Sequence, residues 1–187
     1  MTNKPDGTDN MKMIMSVDEN WAIGSQNRLL FHIPPDMRYF REMTTGGAII
    51  MGRKTWDSLP DGKPLANRVN IVMTRHPERV LPFGARREGV VICDSLASLS
   101  LALQKLPVRP DNHWVIGGSD IYRLLMPFCQ EACVTKVMAV AADADCWMAS
   151  LDESPGWRVV GTGETLAWEG LRYHRVRYRN ARATPFP

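Results

Sequence analysis

A chain of 187 residues, 44% hydrophobic and 23% charged, has the length and balance of one ordinary globular domain. Its apolar runs, such as residues 48–51, fall far short of the roughly 20 residues of a membrane span, and the polar first ten residues hold no apolar secretory stretch, so a cytoplasmic protein is expected. A net charge of +3 without a basic run gives no reason to expect nucleic acid as a partner, and the scattered Cys93, Cys129, Cys133, Cys146 and four histidines show neither a disulfide framework nor metal-site spacing.

Residues 1–10 read as a flexible tail, 11–180 as a single domain and 181–187 as a second flexible tail. The domain opens with a strand-like run, MKMIMSV at 11–17, followed by a loop long enough to be functional. A helix is predicted over 34–44, with Pro35 in its first turn. Then come a strand AIIMG (48–52), a short helix KTWDSL, and strands VNIVMT (69–74) and GVVIC (89–93). A helix over 95–106 has Ser95 as its N-cap, and the strand HWVIGG (113–118) leads into a helix opening at Ser119. ACVTKVMAVAA (132–142) reads as a strand, and residues 157–179 as two long strands joined by a loop, hence an antiparallel edge. This alternation predicts an α/β fold: a mixed, mainly parallel sheet with helices on both faces. Ligands of such sheets bind beyond the carboxyl ends of the strands.

Four segments, mostly at those ends, carry chemistry. Asp36 shares a helix face with Phe40 and Met43, next to Met37; this is either a carboxylate in an apolar pocket, able to grip a flat nitrogen heterocycle, or an acidic residue at a helix start. Gly52, Arg53 and Lys54 open a helix after a buried strand, as a phosphate site or as a solvated basic loop. Arg68 precedes the strand at 69–74, while Thr74 and Arg75 end and follow it; these are two anion readers or two surface arginines. Gly117 and Gly118 precede Ser119 without completing a GxGxxG fingerprint, so a diphosphate turn and a plain tight turn both fit.

Taken in order, IPPDMRYF, IIMGRKTWDSLP, LANRVNIVMTR and WVIGGSDIY resemble dihydrofolate reductase, and the resemblance spans roughly residues 11–180. It implies an eight-stranded sheet with an antiparallel C-terminal strand and NADPH-dependent reduction of 7,8-dihydrofolate to tetrahydrofolate. It further implies that Asp36 binds the pterin N3 and 2-amino group, that Thr135 orders Asp36, and that Phe31 completes the catalytic set. Ile14, Met15, Met37, Phe40, Leu59, Leu65, Ile116 and Tyr122 would contact the substrate, and Arg68 its glutamate carboxylate. Ser16 would meet the cofactor, as would Ala22, Ile23, Asn27 and Leu29 from a mobile loop. Gly52, Arg53, Lys54, Thr55, Thr74, Arg75, Gly117, Gly118, Ser119 and Ile121 would hold its phosphates and adenosine, with the bond between the two glycines cis. Dihydrofolate and antifolates such as trimethoprim are the implied partners of a monomer without metal.

The chain departs from that pattern at Leu30-Phe31, where the family usually has Pro-Trp, which motivates a hypothesis of altered antifolate response. Ser119 stands where a third glycine is common, and Asp145-Cys146 aligns only loosely with a Gly-Asp-Thr pattern. Two other functions compete: a pyrimidine reductase on the same fold, and a non-catalytic NADPH- or pterin-binding protein.

Overall fold

The computed structural model describes residues 10–81 and 87–187, so all but the last residue of the expected N-terminal tail lies outside the described residues. In chain order the elements are β1 (Met11–Val17), β2 (Ala22–Gly24), α1 (Pro34–Thr44), β3 (Ala48–Gly52), α2 (Arg53–Asp57), β4 (Val69–Met73), β5 (Val90–Cys93), α3 (Leu96–Lys105), β6 (His113–Gly117), α4 (Ser119–Leu125), β7 (Glu131–Val137), β8 (Cys146–Trp147), β9 (Trp157–Thr162), β10 (Leu166–Trp168) and β11 (Leu171–Asn180). Local chemistry sets several boundaries. Pro34 and Pro35 begin α1, where a missing N–H costs nothing. Ser95 and Ser98 form a reciprocal capping box at the start of α3.

The main sheet runs β10-β11-β7-β1-β6-β3-β4-β5. From β7 to β5 every pairing is parallel, and β11 lies antiparallel to β7. β9 and β10 both pair with the outer edge of β11, so nine strands fill the expected eight positions. The C-terminal unit is therefore three strands, not two, because Glu169 and Gly170, both at positive φ, turn the chain between β10 and β11. β7 ends at Val137, not at residue 142, and β2 pairs with β8 in a small separate sheet. That small sheet was not predicted; each strand is too short to show a period.

Alternation along the strands sorts the core into two layers. Met11, Met13, Met15 and Val17 of β1 join a cluster with Leu99 and Leu103 of α3 and Tyr122 and Leu125 of α4. Ile14, Ile49, Met51, Val72, Trp114 and Cys133 point to the other face, against Tyr39, Phe40 and Met43 of α1 and Trp56 of α2. Residues 181–187, expected to fray, lie on the domain: the Phe186 ring meets Phe128 edge-on at 5.1 Å, and Thr184 N–H donates to the Pro127 carbonyl at 2.9 Å. No described helix is long and apolar enough to cross a membrane.

One detail of the sheet positions the site. β1 and β6 are paired only through Met11, Lys12 and Met13 with His113, Trp114 and Val115, although both strands continue beyond. β3 and β6 also slip in register between Ile50 and Met51, so that Gly117 comes opposite Met51. The sheet thus opens at its carboxyl ends, between elements that carry most of the candidate residues.

Candidate active site

Asp36 stands in the first turn of α1, one turn before Phe40, with its side chain only 17% exposed. Its Oδ1 accepts a 2.7 Å hydrogen bond from Thr135 Oγ1, a buried hydroxyl on β7. A second group, absent from the expected set, is Arg175 on β11, whose Nε lies 3.7 Å from the same oxygen. Burial pushes the Asp36 carboxyl above its ordinary range, while Thr135 and Arg175 pull it back.

The apolar layer beneath Asp36 gathers the substrate-side candidates. Phe40, Leu59, Leu65 and Ile116 pack, partly buried, on a cluster that includes Ile14. Met15 faces the opposite layer, and Met37 projects outward. The Tyr122 hydroxyl, kept protonated by full burial, donates to the Ile14 carbonyl at 2.7 Å and so ties α4 to β1 where the sheet opens. At the far end of α1, Arg68 is fixed by Nε–H to the Ala66 carbonyl at 3.0 Å and Nη1–H to Thr44 Oγ1 at 3.1 Å. Burial and the nearby Arg41 cation lower its proton affinity, which marks a place where an anion is welcome.

Opposite this wall lie the cofactor-side candidates. The helices α2 and α4 start from Gly52 and Gly118, and neither start has a side-chain cap. Their backbone N–H groups remain suited to phosphate oxygens. The N-cap is thus Gly118, and Ser119 is the first helical residue rather than the cap. The Gly117–Gly118 bond is cis. A Cβ on Gly52 would come within 2.9 Å of Ile121 Cγ1, so glycine is what lets α4 approach β3. Thr55 lies under this turn, its Oγ1 3.5 Å from where a Cβ on Gly118 would sit. Arg53 is paired with Asp57 one turn on, and Lys54 is exposed. Past β4, Thr74 Oγ1 accepts from His76 N–H at 3.0 Å and Arg75 is exposed. These donors and cations fit a phosphorylated dinucleotide.

The loop between β1 and α1 is more tightly held than the sequence suggests. Ser25 and Arg28 exchange backbone hydrogen bonds around Gln26 and Asn27, both at positive φ, and Leu29 is 66% exposed at the tip. Buried Asp18 accepts from Asn20 N–H and Ala22 N–H at 2.8 Å each, and from Ala141 N–H at 3.1 Å. Asp145 accepts from Gln26 N–H at 2.8 Å, and Asp143 from Ser25 Oγ–H at 3.1 Å. Ala22 is fully buried in β2, Ile23 packs on the α3/α4 layer, and Ser16 stays half-buried opposite Thr135. Phe31 leaves the loop to pack on the cluster of Ile33, Val137 and Tyr173. Asp18, Asp143, Asp145 and Arg175 are the site-bordering residues that sequence reasoning missed. Only Asp143 and Asp145 left a trace, in the ADAD run at 142–145.

Comparison with known proteins agrees with this geometry. The family model described as dihydrofolate reductase matches residues 10–179. The dihydrofolate reductase of Bacillus subtilis is 34% identical over 152 residues, covering 81% of this chain and 82% of that protein. The bifunctional dihydrofolate reductase-thymidylate synthase of Glycine max is 33% identical over 156 residues; the match covers 75% of this chain but 28% of that longer protein. Dihydrofolate reductase from Enterococcus faecalis, solved with NADP(H) and RAB-propyl, superposes with a TM-score of 0.76 at 26% identity, over 92% of this chain and 97% of that one. The match over nearly the whole domain, joined to a carboxylate held by Thr135 at the opening of a mainly parallel sheet, places the chain in the dihydrofolate reductase family.

Proposed function

We propose that this protein reduces 7,8-dihydrofolate to 5,6,7,8-tetrahydrofolate with NADPH, and that Asp36 is the carboxylate that binds the pterin. The Asp36–Thr135 contact carries this reading: a hydroxyl that donates to Oδ1 fixes the carboxylate plane, so that two parallel hydrogen bonds to an amidine edge become possible. NADPH, when bound, supplies the hydride that forms the new bond at pterin C6, while N5 gains a proton and NADP⁺ is left. The protein's own groups bind, orient and exclude water. Asp36 polarises the ring from its amidine side, and the proton reaches N5 through water. Phe40, Ile14 and Ile116 supply apolar walls, and Leu59 and Leu65 flank the path to Arg68, which takes the substrate carboxylate.

The uncapped starts of α2 and α4, with Arg53, Lys54, Thr55 and Ser119, would hold the phosphates, and Thr74 with Arg75 the adenosine phosphate. The loop carrying Ala22, Ile23, Asn27 and Leu29 would close over the reacting rings. Four free cysteines suit a reducing cytoplasmic setting, and a monomer is the proposed state.

Mixing the protein with dihydrofolate and NADPH, then with NADH, tests the reading through loss of cofactor absorbance. Fast turnover with NADPH preference is expected, and Asp36→Asn should keep the fold and lose about 10²–10⁴ in turnover. Near-normal turnover by that variant sinks the assignment of Asp36. Turnover of a pyrimidine in place of dihydrofolate would move the protein to another reductase class.

A further inference from the structure

β7 and β11 are antiparallel, and Thr135 and Arg175 are direct partners across that pairing. Cross-strand partners project from the same face. Here that face looks toward α1, and both side chains converge on one oxygen, Asp36 Oδ1, at 2.7 Å and 3.7 Å. Arg175 is not a loose surface cation. Its guanidinium carbon lies 4.0 Å from the centroid of the Tyr39 ring on α1 and 5.9 Å from that of Tyr173 on its own strand. Its Nη2 donates to the Pro35 carbonyl at 3.5 Å. Nε is buried and has no hydrogen-bond acceptor among the described residues, since 3.7 Å is too long for one. What passes between Arg175 and Asp36 is therefore mainly charge.

We infer that Arg175 is a positioning residue that acts through the pocket carboxylate, biasing the site toward ligands that bind as neutral rings and against ligands that bind as cations. This rests on Asp36 as the pterin partner. Of the titratable groups facing Asp36, Tyr39 on its own helix and Cys133 on β7 are both pushed up by burial and stay neutral. Thr135 does not titrate, and Arg177, further along β11, sits opposite Cys133 rather than Thr135. Arg175 is thus the described group that brings a full charge to the carboxylate. A neutral pterin that shares Asp36 with Arg175 meets no repulsion. A protonated 2,4-diaminopyrimidine meets a cation already in place, in a half-buried setting where screening by salt is weak.

The test compares Arg175→Gln, Arg175→Leu and Arg175→Lys with the native enzyme. One readout is the pH profile of kcat/KM for dihydrofolate. The other is the ratio of dissociation constants for trimethoprim and dihydrofolate, with NADP⁺, which cannot donate a hydride, in place of NADPH. In the Gln and Leu variants the Asp36-dependent midpoint should rise by about one pH unit, the low end of what an opposite charge within about 4–6 Å causes. Trimethoprim should gain about tenfold over dihydrofolate, the equivalent of that one unit. Arg175→Lys should keep most of both properties. Gln retains length and polarity, so the comparison stands if Leu fails to fold. Asp36→Asn separates the two levels. If that variant turns over normally, the pocket assignment is wrong. If it is impaired while the Gln variant keeps the native midpoint and a ratio within twofold of native, the inference about Arg175 is overturned. A Lys variant that behaves like Gln would also overturn it, because the charge would then be irrelevant.

Discussion

Replacing Gly117 by alanine tests how tightly the cofactor turn and the pterin wall are joined. Gly117 has φ +108°, outside the range that side chains favour, and a Cβ there would sit 2.9 Å from Tyr122 Cε2 and 3.2 Å from Cζ. Neither the backbone nor the ring yields easily, because Tyr122 is buried and its hydroxyl is spent on the Ile14 carbonyl. Holding a non-glycine residue in such a conformation costs about 1–3 kcal/mol, overpacking a filled core costs about as much, and a ring pushed off Ile14 loses about 1 kcal/mol or more. The low ends together come to about 3 kcal/mol, a fall in Tm of roughly 6–12 °C for a domain of this size. Thermal melts of the apo protein read this directly, and the NADPH dissociation constant should rise because α4 begins at the displaced turn. Gly118→Ala is the contrast: its Cβ meets only Thr55 Oγ1, at an ordinary 3.5 Å, so stability should change little. A Tyr122→Leu background should return the part of the loss due to overlap and keep the part due to φ. A Gly117→Ala protein that melts within about 2 °C of native would refute the packing argument.

Thr135→Val removes the hydroxyl that donates to Asp36; a hydrogen bond to a charged group contributes about 1.5–3 kcal/mol, so kcat/KM should fall about 10- to 100-fold, with Thr135→Ser recovering most of it. His113 is buried on β6 with neither ring nitrogen hydrogen-bonded among the described residues, and burial lowers its proton affinity. Unfolded histidine titrates near pH 6.5, so below that pH the unfolded chain takes up a proton that the folded chain resists. Stability present above about pH 6.5 should decline as the pH falls toward the lowered folded value. His113→Phe should flatten that decline in urea midpoints between about pH 7.5 and 5, and an unchanged slope would assign the acid loss elsewhere. Asp18→Ala strips an acceptor from three backbone N–H groups; at about 1 kcal/mol or more each, Tm should drop by roughly 6–12 °C, with a higher KM for NADPH as the loop loosens. A melt unchanged by that substitution would mean that water replaces the carboxylate without loss.

Much of the scaffold was legible because its signals are local. β1 and β3 were bounded to the residue, since buried strands of a parallel sheet read as short apolar runs closed by polar or glycine residues. Asp36 and Phe40 could be placed on one helix face from spacing alone, and the structure puts Phe40 in the layer below the carboxylate. Arg175 could not be found that way. It is one of four arginines in β11, and nothing in RYHRVRYR separates it from Arg172, Arg177 or Arg179. Only the register with β7 aims it at Asp36, and register is a property of two distant segments. The acidic clamp on the loop was obscured for a related reason. Asp18, Asp143 and Asp145 look like ordinary polar punctuation until β2 and β8 pair and bring them together.

The early parting of β1 from β6 has an evolutionary consequence. Main-chain groups near Ile14 and Ile116, released from the β1–β6 ladder, belong to every variant of this chain, because no codon change removes a peptide carbonyl. Selection for a different ligand, or against a toxic one, can therefore act on this wall only through side chains such as Ile14, Phe40, Leu59 and Leu65, or by shifting the strands themselves. The second route disturbs the buried core on both faces of the sheet, so adaptation here is channelled into a small set of replaceable side chains around an unalterable backbone.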